Sequence, residues 1–141
     1  CSMVVMPDTL VALLKDWHSV PVATTGADGM PNVAAKSVMV RDPETIVWGE
    51  LYFMQTYENL MRHPVALCVW ERTPPFTAYQ VKGRVVIHRD DEVTAALDRK
   101  VWAGHPEEFA TRTEGMAAVV LTVEEIYDQT PRLEAAGKRI A

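Results

Sequence analysis

The chain has 141 residues, 48% of them hydrophobic and 23% charged, with a net charge of −5. That is one domain's worth of sequence, apolar enough to build a core without a disulfide or metal staple. The acidic balance argues against a nucleic-acid or anionic-membrane surface, and no apolar run approaches the roughly 20 residues that span a bilayer.

The first periodic segment is Asp8 to Trp17, where Leu10, Val11, Leu13, Leu14 and Trp17 share a helical stripe and Asp8 is placed as its N-cap. Strand signals follow. Ser19 to Thr25 is rich in β-branched residues and ends in Gly26-Ala27-Asp28-Gly29, a hairpin turn. Pro31 to Val40 is the second strand and Thr45 to Tyr52 the third. Strands joined by so short a turn must be antiparallel, because a parallel pair needs a long crossover. A short helix from Thr56 to His63 is then stopped by Pro64.

Val65 to Glu71 is apolar on both faces, so it is expected to be covered on both sides, one cover being a partner subunit. A long strand from Phe76 to Arg89 carries Gly83 as a bulge or bend. Asp90 to Ala103 reads as a helix, Met116 to Ile126 as the last strand, and Gln129 to Ala141 as a polar tail. The pattern is mainly β with flanking helices, and a small closed barrel removes its exposed edges.

Several segments, in this order and spacing, resemble the FMN-binding split-barrel family related to pyridoxamine 5′-phosphate oxidase. They are Val22 to Val33, Gln55 to Leu60 followed by Arg62 to Leu67, Ala78 to Val85, and Ala117 to Glu124. The likeness is greatest to the short FMN-binding proteins of that family. It implies a single domain over residues 1–141, a six-stranded antiparallel split β-barrel acting as a homodimer, and FMN in a cleft between two subunits.

By the resemblance, Ala35, Lys36 and Ser37 run beside the ribityl chain and phosphate, and Glu50, Leu51 and Tyr52 approach the ring. Gln55 and Thr56 open the short helix, whose N-terminal N–H groups and partial positive charge suit a phosphate. The family carries a basic residue beside this threonine. Here Gln55 stands in its place, and Lys36 compensates if it points into the cleft.

Each of these residues also has a plainer reading. Thr56 caps a helix with or without a phosphate, and Lys36 fits the solvated face of a half-exposed strand. Trp17 and Trp102 read as core, whereas Trp48 and Trp70 could face core, interface or cofactor. The four histidines show no ligand spacing, so no metal site is expected. Glu124 and Glu125 read as a solvated strand end, and Gly137-Lys138-Arg139 as a disordered basic tail. Cys68, inside an apolar run, reads as a buried free thiol. Together with the absence of a signal-peptide pattern, that points to a reducing cytoplasm.

The family's true oxidases carry a C-terminal segment rich in Trp, Arg and His, which Leu133 to Ala141 does not match, so pyridoxamine phosphate oxidation is not expected. The expected function is a small FMN-binding redox protein or flavin-dependent reductase, with an unnamed electron donor or small-molecule substrate. The alternatives are a barrel that binds deazaflavin or haem, and a cofactor-free dimeric scaffold.

Overall fold

A computed structural model describes residues 4–15, 18–50, 59–60, 62–89, 91–102, 117–131 and 137–141. Helix α1 (Asp8–Leu13) leads into β1 (His18–Thr25), β2 (Pro31–Asp42), β3 (Thr45–Glu50), β4 (Val65–Glu71) and β5 (Thr77–His88). Helix α2 (Glu92–Trp102), β6 (Ala117–Asp128) and the two-residue β7 (Lys138–Arg139) follow.

The strands run in the order β3-β2-β1-β4-β5-β6-β7, and β3 also pairs with β6. The six long strands therefore close into the predicted antiparallel barrel. The β1–β2 hairpin is in register from His18↔Val38 to Thr25↔Pro31. Its turn needs Gly29, which sits at φ 83. In β5 the register shifts between Lys82 and Gly83 against β6, the expected bulge.

Alternation along the strands sends Val20, Val22, Val38, Ile46, Trp48, Val65, Leu67, Val69, Val81 and Leu121 into one core. Helix α1 plugs one end of the barrel: Leu10 and Leu14 are fully buried in that core, and the Val40 N–H donates to the Leu14 carbonyl. At the other end, helical Leu60 joins the same core. Helix α2 lies outside the barrel, packing Leu97 and Val93 over Val47, Ala118 and Val120 of β3 and β6.

The structure alters several sequence expectations. Asp8 is not the N-cap of α1: Pro7 holds that place, and Asp8 lies in the first turn, where its charge suits the helix dipole. The helix ends at Leu13 because Leu14 leaves helical geometry (φ −105, ψ 8). Trp17 lies outside the described residues.

Strand β4 is covered on one face only in the single chain. Val65, Leu67 and Val69 are buried, while Ala66 and Cys68 are half-buried and Trp70 is 43% exposed. Lys138 and Arg139 are not a loose tail but pair with Asp128 and Tyr127 of β6. Glu124 and Glu125 sit within β6, the first beside Arg84 and the second beside Arg139.

Candidate functional site

The period of two in a strand splits the predicted site between two faces of the barrel wall. Val38 of β2 points into the core, so Lys36 points inward as well, while Ala35 and Ser37 point outward and are exposed. In β3, Ile46 and Trp48 are core residues, which places Glu50 inside on the same row. The sequence-predicted Lys36 and Glu50 are thereby brought together, and Ala35 and Ser37 stand on the opposite face. Leu51, Tyr52, Gln55 and Thr56 lie outside the described residues.

Inside, the Lys36 ammonium donates to both carboxylate oxygens of Glu50, at 2.9 Å and 3.0 Å. The Trp48 indole Nε1–H donates to the same carboxylate at 3.2 Å. Glu50 is 2% exposed and Lys36 20%, so the acid is fully enclosed while the amine reaches the barrel's edge. A second polar cluster lines the same end. Asn59 and Asn32 both donate through Nδ2 to the Thr24 hydroxyl, at 3.2 Å and 3.4 Å, and Thr24 and Asn59 are buried. These contacts tie the helical turn at Asn59–Leu60 to β1 and satisfy polar groups that burial would otherwise penalise.

Thr24 and Asn59 were not expected at the site. Alternation from Val20 and Val22 places Thr24 inside, but only the pairing of β1 with β2 brings it beside Asn32.

The outward face has a different chemistry. Ala23 and Ala66 pair across β1 and β4, and Ala35 pairs with Pro21 across β2 and β1. Val33 is 65% exposed and Met30 63%. The same face continues to an open groove of about 520 Å³ lined by Cys68, Trp70, Arg72, Phe76, Ala78 and Gln129. Burial pushes the Cys68 thiol above its ordinary pKa, so it is a poor nucleophile there. Whereas α2 covers the outer side of β3 and β6, no described segment covers this run of small side chains.

A flavin nucleotide makes two demands: an apolar wall for its ring and an anchor for its phosphate. The outward face fits the first. For the second, the cation of β2 that was expected to help is already paired with Glu50. Among the described residues no three His, Cys, Asp or Glu side chains cluster as a metal site. None of the described helices is long and apolar enough to cross a membrane.

The pyridoxamine 5′-phosphate oxidase family profile matches residues 6–130. Among curated proteins none matches the chain by sequence. A candidate pyridoxamine 5′-phosphate oxidase of Lactobacillus delbrueckii is 30% identical, with 87% of this chain and 93% of that one covered at a TM-score of 0.68. An F420 reductase is 24% identical, covering 86% of this chain and 98% of that one at a TM-score of 0.70. HupZ of Group A Streptococcus has the same fold at 18% identity, covering 94% and 98% at a TM-score of 0.75. With the closed six-stranded barrel and a profile match running from α1 past the end of β6, the chain belongs to the pyridoxamine 5′-phosphate oxidase family.

Proposed function

We propose that the protein holds FMN on the outward face of β1, β2 and β4, between two copies of the chain. It would work as a small redox protein or a flavin-dependent reductase on a small molecule. The observation that carries this reading is the uncovered face itself: small side chains at Ala23, Ala35, Ser37 and Ala66, with exposed Val33 and Trp70 around them. A second copy would cover that face and close a dry cleft around a ring, which is the condition a flavin needs from its protein.

When bound, a flavin supplies hydride or single-electron transfer at its ring. Ala35 and Ser37 would lie along the ligand from β2, and Leu51 and Tyr52 would approach its ring from the chain beyond β3. Gln55 and Thr56 would offer an amide and a hydroxyl to the phosphate. Glu50 would act from behind the wall, by holding Lys36 and Trp48 in place.

A deazaflavin is the second reading. It is favoured by the fold shared with an F420 reductase. Titration of the apo-protein with FMN and with a deazaflavin, followed by flavin fluorescence, tests both. Saturable quenching by FMN at one molecule per chain supports the first reading. Binding of the deazaflavin alone selects the second.

A further inference from the structure

We propose that the groove at the edge of the outward face binds a small planar aromatic carboxylate, which, resting on the flavin reading above, is the protein's substrate. The groove measures about 520 Å³ and is lined by Cys68, Trp70, Arg72, Phe76, Ala78 and Gln129. That volume is within the roughly 300–1,000 Å³ usual for small-molecule sites. Ala66, Cys68 and Trp70 alternate onto one side of β4, and Ala66 pairs with Ala23 of β1. The groove therefore continues the run of small side chains assigned to the flavin. On β5, Ala78 pairs with Trp70, and its short side chain leaves room beside the indole.

The lining selects the ligand's chemistry. Trp70 is 43% exposed and Phe76 40%, so two aromatic side chains meet water at one opening. Such surface gains by stacking against a flat ring. Arg72 is the one charged residue of the described lining, and no carboxylate among the described residues pairs with it. Its neighbour Glu71 instead accepts the Thr73 N–H at 2.8 Å. A planar guanidinium holds a carboxylate through two parallel hydrogen bonds, each strengthened by charge on both partners. In a chain of net charge −5, this uncompensated arginine beside apolar walls favours an anion. The floor is already fixed. The Ala78 N–H donates to the Thr130 hydroxyl at 3.2 Å, and the Gln129 N–H donates to the Ala78 carbonyl at 2.9 Å. Little ordering remains to be done when a ligand enters.

The test compares the dissociation constants of 2-naphthoate and its neutral amide, 2-naphthamide, by calorimetry with FMN absent and present. The natural chain should bind the carboxylate at least about tenfold more tightly than the amide. In Arg72→Gln that preference should shrink to within about twofold while amide binding holds, and Trp70→Ala should weaken both compounds alike. No binding of either compound, equal binding of the two, or a preference that survives Arg72→Gln would overturn the inference. Loss of both compounds at protein concentrations where two copies associate would also overturn it, by making a second copy the occupant of the groove. FMN binding without the carboxylate preference refutes this inference alone. The preference without FMN binding refutes the flavin reading and the substrate role, and leaves the groove a site for aromatic carboxylates.

Discussion

Removing Lys36 should cost the fold more than neutralising Glu50, although the two make the same ion pair. In Lys36→Met the Glu50 carboxylate stays 2% exposed and, among the described residues, keeps only the Trp48 indole as donor. Breaking a buried pair this way costs about 3 kcal/mol, toward the lower end of the usual range because the amine end of the site meets solvent. In Glu50→Gln the amide oxygen still accepts, and Lys36, 20% exposed, can turn its ammonium to water. That change should cost about 1–2 kcal/mol. The double variant leaves neither charge behind and should cost about 2 kcal/mol, well short of the sum, giving a coupling of roughly 2–3 kcal/mol. Urea unfolding of the four proteins, read by Trp fluorescence at matched m-values, measures all three differences. If Glu50→Gln proves as damaging as Lys36→Met, or the two losses simply add, the burial argument for this pair is wrong.

Other parts of the molecule give independent tests. A Cβ on Gly83 would press into the Thr122 carbonyl and come within 3.0 Å of Leu121 Cδ1. Gly83→Ala should therefore destabilise the barrel by about 3 kcal/mol or more in the same assay. The Asp91 carboxylate accepts the N–H groups of Val93 and Thr94 at the start of α2 and contacts His88. The Thr94 N–H bond is the main cause holding its pKa down to about 2, with His88 adding to it. A lowered carboxylate pKa means the stabilisation is complete above the ordinary value of 3.8 and is lost as pH falls toward 2. The gap in melting temperature between the natural chain and Asp91→Ala should accordingly close over that range. A gap that stays constant down to pH 2 would remove the charge of Asp91 from the account. Cys68, half-buried on the outward face with a raised thiol pKa, should alkylate slowly near neutral pH. It should react more slowly still at protein concentrations where two copies associate, as mass spectrometry of iodoacetamide-treated samples would show.

Much of the barrel is legible in the sequence because its signals are local. Asp28-Gly29 needs a turn that tolerates positive φ, and Gly29 at φ 83 meets it, with Met30 N–H donating to the Asp28 carboxylate at 3.0 Å. The limits of β4 coincide with the apolar run from Val65 to Glu71, and the Gly83 bulge lies where a residue without a side chain interrupts a strand pattern. What could not be read locally depends on partners far along the chain. A lone lysine between Ala35 and Ser37 fits either face of a strand. What settles it is Glu50, fourteen residues away, with Trp48 behind it. Lys138 and Arg139 carry no apolar signal. Their strand is held by backbone bonds around it, from Gly137 N–H to the Asp128 carbonyl at 2.7 Å and from Ile140 N–H to the Ile126 carbonyl at 2.8 Å. Asp8 looks like a cap because Asp favours that position, but Pro7 before it already has the extended geometry of a cap residue.

The central claim is that two copies enclose one outward face each around a flavin. Sedimentation velocity of the protein mixed with FMN, recorded at the flavin's visible absorbance, tests it most directly. The colour is expected to travel with a species of twice the 15.8 kDa chain mass. A species of one chain mass that leaves the flavin behind would contradict it.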